Sequence, residues 1–313
     1  MRLYINIIIT SLFLCSAVLN GAGITDWYND NLEKIETGIG FAVLKIPVSA
    51  RRAAMGGTYA AGSTPQQSVS TNPASMLADQ TSFIFNHQNH FQGIHQEYLG
   101  ILIAKPNYAL GISFSGLFVD GLEFRSGPGP SEGDFSAYDF ISSAAVSYRV
   151  YKDLSMGIRF KLLHQKIFQY STTVYAFDFG VHYKFNKYIN LGGTLENFGP
   201  KYTYINNSEQ TSRLPTGWRM GTALNLPEYK GFTGSVALDA WKYPDVRMRW
   251  DLGAEIVHSS GLALRAGGRF NSDTQSWTTG LGYRWKAICF DYAFLPYSED
   301  LGNSHLITMG INL

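Results

Sequence analysis

From about Phe83 to Leu313 the chain repeats one pattern, in which stretches of roughly ten residues alternate large apolar side chains with small, polar or charged ones. The segment 247–256 shows it best. Met248, Trp250, Leu252, Ala254 and Ile256 fall on one face at period two, and Arg247, Arg249, Asp251, Gly253 and Glu255 on the other. Successive side chains of a strand point to opposite faces, so each such stretch is a two-faced strand. In a soluble sandwich the charged face would meet water. In a transmembrane barrel the apolar face meets lipid and the charged face lines the lumen.

Composition separates these two folds. Charged residues make up 16% of the chain, against roughly 25% in ordinary soluble domains. Aromatics reach 14%, with 19 Tyr and 20 Phe. Beyond residue 24 no apolar run is long enough for a spanning helix. The start of the chain has the parts of a secretory signal peptide: Arg2, an apolar run from Leu3 to Leu19, then small residues with cleavage expected near Ala22. Cys15 follows Leu14 rather than the small residue a lipid-attachment site needs. The mature chain then holds one cysteine, Cys289, so no internal disulfide supports the fold. With 25 basic and 24 acidic residues the formal charge is +1, and no global field points to nucleic acid. Few charges, many aromatics and an export signal favour a barrel of the bacterial outer membrane, with outer-membrane lipid as its surroundings.

Alternating segments fall at about 82–91, 95–105, 108–119, 137–150, 153–168, 171–185, 188–198, 216–226, 232–242, 247–258, 261–271, 275–286, 287–296 and 304–313. Energetics fixes which face looks out. A basic residue at the bilayer midplane costs about 2–4 kcal/mol on the lipid face, and a one-residue slip of 247–256 would turn two arginines and two carboxylates into lipid. The connections agree: those near 106–107, 151–152, 186–187, 227–231, 259–260 and 286–287 are short, whereas 120–136, 199–215 and 297–303 are the longest. All the long ones lie at one end, as external loops do in outer-membrane barrels. The final segment, ending Ile307, Met309, Ile311 and Leu313, has the alternation of a barrel's closing strand, without the terminal aromatic usual there. The expected organisation is a signal peptide over 1–22, an N-terminal arm over 23–81 and a transmembrane β-barrel over 82–313.

The arm does not alternate. It carries Pro47-Val48-Ser49-Ala50-Arg51-Arg52-Ala53-Ala54-Met55-Gly56-Gly57 and later Asn72-Pro73-Ala74. Small residues, a glycine pair and an Asn-Pro step allow tight packing and turning, and some fifty residues ahead of a barrel can fold back into its lumen. These two motifs resemble the opening of the PorV/PorQ family, and Glu196-Asn197-Phe198-Gly199-Pro200 with Leu214-Pro215 resembles its mid-barrel strand, loop and strand. The resemblance runs with gaps over nearly all of the mature chain. It implies an all-β, FadL-like antiparallel barrel of about fourteen strands with the arm as a lumen plug. It also implies Arg51, Arg52, Gly56, Gly57, Asn72 and Pro73 as plug or gate residues. Members of that group serve type IX secretion, receiving or attaching secreted cargo proteins together with secretion-system components. FadL-type relatives instead admit hydrophobic small molecules passively.

Candidate chemistry is sparse. Inward-facing charges are expected at Arg219, Arg247, Arg249, Asp251, Glu255, Arg265, Arg269, Arg284, Lys286 and Asp291. Lying on adjacent segments, they would make one lumen wall basic, either to steer anionic groups or as Arg–carboxylate ladders that fill the lumen and hold the plug. His87, His90 and His95 suggest a metal at first sight, but the first two sit three apart and face opposite ways in a strand. There is no Gly-x-Ser-x-Gly, phosphate loop or paired-cysteine motif. No cofactor and no enzymatic activity are therefore expected. The loops at 120–136 and 199–215, the latter with Tyr202 and Tyr204, either dock partners or cap the barrel.

Overall fold

The computed structural model describes residues 38–204 and 211–313. The expected signal peptide and the first part of the arm lie outside the described residues. Fourteen antiparallel strands close into one barrel, which matches the number read from the alternation. They are β2 (Gln80–Asn89), β3 (Ile94–Ala104), β4 (Tyr108–Phe124), β5 (Gly133–Tyr151), β6 (Leu154–Ile167), β7 (Tyr170–Lys184) and β8 (Ile189–Phe198). After the loop come β10 (Gly217–Tyr229), β11 (Phe232–Lys242), β12 (Arg249–His258), β13 (Leu262–Phe270), β14 (Trp277–Trp285), β15 (Ile288–Tyr297) and β16 (Gly302–Asn312). Each strand pairs with its neighbour in sequence, and β16 pairs with β2 to close the ring. A closed ring leaves no unpaired strand edge, which is the condition for β-structure inside a bilayer.

The faces follow from the alternation. On β4 the side chains of Leu110, Ile112 and Phe114 are exposed on the outside, while Ala109, Gly111, Ser113 and Ser115 are buried inside. On β12 Leu252 and Ile256 look out, and Asp251 and Glu255 are buried. The outer surface is thus a continuous apolar belt of a kind water does not tolerate, and no helix of the described residues is long and apolar enough to cross a membrane.

Two expected loops are strand instead. Much of 120–136 belongs to β4 and β5, which run on past the barrel rim as a twisted hairpin with a register shift between Val119 and Leu122. The Gly-Pro run 127–130 only forms its tip. The connection expected over 297–303 shrinks to 298–301 because β15 and β16 pair as far as Tyr297 and Gly302.

The segment from Gly38 to Asp79 packs against the inner wall. Gly38–Ile39 (β1) pairs in parallel with Ser212–Arg213 (β9) of the loop after β8. A 3-10 turn follows over Ala42–Lys45, then helix α1 (Ala50–Ala54) against β13–β16, helix α2 (Pro65–Ser68) near β2 and β3, and a 3-10 turn Pro73–Ser75 against β5–β7. Glycines in the wall make room for this backbone. A Cβ at Gly253 would come within 2.5 Å of the Met55 carbonyl oxygen, and one at Gly157 within 2.6 Å of both the Pro73 carbonyl oxygen and the Ala74 nitrogen. Gly56 and Gly57 have φ of 69° and 95°, which favours glycine. Through them the plug reverses direction against Gly267 and Arg269.

Candidate functional site: a plugged lumen and its divided cavity

Three buried charge clusters tie wall to plug. In the first, Arg51 of α1 donates from Nε and Nη2 to Glu255 at 2.9 and 2.8 Å, and from Nη1 to the Gly62 carbonyl at 3.0 Å. Arg265 bridges the same Glu255 at 2.5 Å to Asp291 at 2.7 Å. Burial works against the Arg51 charge, but Glu255 beside it outweighs that and raises its pKa. In the second, Arg219 lies between the rings of Tyr59 and Trp241, 4.3 and 4.9 Å from their centroids. It pairs with Asp251 at 2.8 Å and Asp239 at 3.1 Å. Asp239 in turn accepts the backbone N–H groups of Tyr59 and Ala60 at 2.7 and 3.0 Å. Burial, followed by the charge of Glu196, pushes the Tyr59 phenol up, and that hydroxyl donates to Glu196. In the third, Asp178 holds Arg159 and Lys161, each at 2.7 Å, and Arg159 also donates to the Val69 carbonyl of the plug at 2.8 Å.

Asn72 and Pro73 lie at the end of α2's following turn, inside the lumen. The Asn72 amide donates to the Ala60 carbonyl at 2.8 Å and to the Val181 carbonyl of β7 at 3.0 Å, while its oxygen accepts from Ala74 N at 3.0 Å. Arg52 stacks on the Tyr59 ring at 4.1 Å and has no carboxylate partner among the described residues. Arg269 donates to the Gly56 carbonyl at 2.7 Å.

The charges expected to line one wall do not all do so. Arg219, Asp251, Glu255, Arg265 and Asp291 are buried inside. Arg249 reaches the rim, 3.3 Å from Asp273. Arg284 faces a cavity at the short-turn end but is exposed. Arg247 and Lys286 are corrections: Arg247 precedes β12 and is exposed, and Lys286 sits in the turn between β14 and β15 with φ of 52°. In both cases the alternation was extended past the true strand end. Nor is the wall a basic surface, because Asp239, Asp251, Glu255 and Asp291 neutralise its arginines. Arg159, Lys161, Asp178, Glu196 and Asp239 were missing from the expected set. The signal was available for Arg159 and Lys161, which alternate with Ile158, Phe160 and Leu162. His87 faces out and contacts Glu97 at 2.6 Å, while His90 binds Ser304 Oγ at 2.8 Å. Among the described residues no three ligand-type side chains converge for a metal.

One cavity between plug and wall lies towards the long-loop end, between segment Val43–Val48 and strands β3–β6 and β8, with a free volume of about 70 Å³. One side is apolar, built from Val43, Leu44, Ile46, Val48 and Ile141; the other carries Gln96, Ser113, Ser115, Ser143, Arg159 and Lys161. Its apolar side continues into a packed cluster of Phe41 and Val43 from the plug, Leu163, Val174 and Ala176 from the wall, and Tyr202 and Leu214 from the loop. The described parts of this loop, 199–204 and 211–216, therefore pack inward, and Tyr202 is buried rather than presented to partners. At the short-turn end a polar cavity of about 260 Å³ lies beside Arg51, Glu255 and Arg284.

No protein-family profile and no characterised protein sequence matches the chain. Solved structures do. The toluene transporter TbuX of Ralstonia pickettii superposes with a TM-score of 0.57 at 13% identity, over 90% of this chain and 98% of that one. The toluene transporter TodX of Pseudomonas putida gives 0.58 at 12%, covering 88% and 97%. A FadL homologue of Pseudomonas aeruginosa gives 0.52 at 9%, covering 85% and 98%. The fold is that of the FadL-like barrels. At these identities the likeness extends to the fold alone.

Proposed function

We propose that this chain is a plugged outer-membrane passage for hydrophobic small molecules. One observation carries the reading: the cavity under Val43–Val48 has an apolar side that continues into the packed cluster of Phe41, Val43, Leu163, Val174 and Leu214 inside the barrel. A pore for hydrophilic solutes has no use for such a compartment, whereas ligand pockets are mostly apolar with a few placed polar groups. The fold neighbours TbuX and TodX are toluene transporters, and they support the same reading. The adjoining cavity of about 70 Å³ is smaller than the roughly 150 Å³ apolar cavity that holds benzene in an engineered protein. Passage of a ring thus requires segment Val43–Val48 to give way.

The test is uptake of radiolabelled toluene and decane by cells lacking the gene and by cells with it restored. Faster entry with the gene supports the passage. Equal rates in both, with the barrel present in the membrane, sink it.

A second reading follows from the arm motifs and from the β4–β5 hairpin, which stands beyond the rim with Phe124, Phe135 and Phe168 packed together. It is a PorV/PorQ-type role in secretion or attachment of exported proteins. Deleting the gene and comparing the surface and released proteins discriminates the two. Retention of a defined set of exported proteins in the periplasm supports this second reading, and an unchanged set removes it.

A further inference from the structure

The inner face of the β2–β3 pair holds more buried polar groups than it has partners. Asn86, Gln88 and Gln96 are fully buried. Gln88 lies directly across from Gln96 in the register, and Asn86 across from Tyr98. The side-chain oxygens of Gln88 and Gln96 and the amide nitrogen of Asn86 have no hydrogen-bond partner, nor does the hydroxyl of buried Ser49 in the plug. A lone orphan of this kind costs stability, and native proteins leave few of them without a reason. With the hydroxyls of Ser82 and Tyr98, which are likewise buried and unpartnered, six on two paired strands and the facing plug mark a surface built to be completed by something else.

Gln96 and Tyr98 are the members that open into the cavity under Val43–Val48, and of the two Gln96 presents a pure acceptor. Its amide nitrogen is engaged by Ser115 Oγ at 3.3 Å, and Ser115 is anchored in turn on the Glu97 carbonyl at 3.1 Å. This fixes the amide so that its oxygen is the free end, and an oxygen asks for a donor. Ser113 and Ser143 beside it already bond each other at 2.7 Å. Across the same cavity stand Val43, Leu44 and Ile46 of the plug, and Ile141 adjoins Ser115 on the wall. The two sides together suit a molecule with an apolar body and one O–H or N–H group.

We propose that Gln96 recognises a hydrogen-bond donor on the transported molecule, so that this barrel selects neutral hydroxyl- or amide-bearing hydrophobic compounds over bare hydrocarbons. This rests on the passage reading above and narrows its substrate class. A bare ring leaves the Gln96 oxygen unpartnered. A carboxylate, having no proton to give, sets two oxygens against each other. Arg52 is the nearby cation without a carboxylate partner and offers the competing, anion-selecting alternative.

The experiment is calorimetric binding of toluene, benzyl alcohol and benzoate to the full chain in detergent, since these share a ring and differ in one group. Benzyl alcohol is expected to bind roughly tenfold more tightly than toluene, the worth of one neutral hydrogen bond. Gln96→Leu is expected to erase that preference, so that toluene and benzyl alcohol bind within about twofold of each other. Toluene binding as tightly as the alcohol overturns the inference and leaves the passage reading standing. Benzoate binding best, with the preference lost in Arg52→Met, also overturns it and transfers selection to Arg52. No binding by any of the three, to a barrel that still migrates as folded on an unheated gel, overturns both readings. The wild-type ranking decides the matter even where Gln96→Leu does not fold.

Discussion

The plug is seated in two places by different physics. Against β13–β16 and β12 close backbone contact at Gly253 and Gly267 is joined by charge, with Arg51 reaching out of a short helix to Glu255. Against β5–β7 it is steric and neutral, with the Pro73–Ala74 backbone pressed on Gly157 and the Asn72 amide capping carbonyls on both sides. The wall beneath the second seat has its own charges, but Asp178 neutralises Arg159 and Lys161, and Arg159 reaches the plug at the uncharged Val69 carbonyl. The electrostatic seat tolerates a change of partner, because Arg265 and Asp291 stand ready to share the charge. The steric seat does not, because backbone cannot repack.

That contrast can be broken in three ways. Asp178→Ala strands two buried cations and is expected to cost about 3–5 kcal/mol, read by urea unfolding of the detergent-solubilised barrel. It should also release the Val69 region to protease, since Arg159 holds that carbonyl. Gly157→Val pushes a side chain into the Pro73 backbone and should cost about 1–3 kcal/mol. Its sharper readout is ion conductance in planar bilayers, which should rise as the turn lifts off. An unchanged conductance would show that the steric seat does not seal the lumen. Glu255→Gln keeps the shape and one acceptor, so about 1–2 kcal/mol is expected, with little change in conductance. A conductance larger than that of Gly157→Val would reverse the ranking of the two seats.

A further effect concerns pH at the rim, away from both seats. Burial lowers the pKa of His90 to about 4, and the unfolded chain titrates near 6.5. Between those values the unfolded state holds the extra proton, so stability falls as pH falls through that window. Thermal unfolding followed from pH 7 to 4 should show this loss, and His90→Gln should flatten it. A mutant curve parallel to the wild type would assign the loss to another group.

The outward half of this fold was legible because lipid leaves no freedom: every strand must show it apolar side chains, and a slip by one residue is costly. The inward half was less so. Arg and Glu at alternating positions announce a polar lumen, but the pairing of Asp239 with both Arg219 and the Tyr59 backbone depends on where the plug lies, which no local pattern encodes. Strand β8 shows the limit in one step. Glu196 and Asn197 are adjacent and both buried, because Asn197 adopts φ of 59° and its N–H turns to Asp178 at 2.7 Å. Two neighbouring polar residues in an alternating strand were the visible trace of that bulge. The β4–β5 hairpin was read as a loop from its glycines and prolines, although paired strand continues to Phe124 and Gly133.

The seam of the ring joins the first strand to the last. Leu313 donates to the Thr81 carbonyl at 2.7 Å, and Thr81 donates back at 3.3 Å. No pair of strands in the barrel is further apart along the chain, so this is the contact with the largest loop-closure entropy. The plug leads directly into Gln80, on one lip of that seam. During synthesis the cork therefore exists long before the bottle, and the wall has to be wound around it: until β16 arrives, every other strand can pair and the lumen still stands open along one side. A chain stopped short of β16 would keep all the plug's residues and have no vessel to hold them.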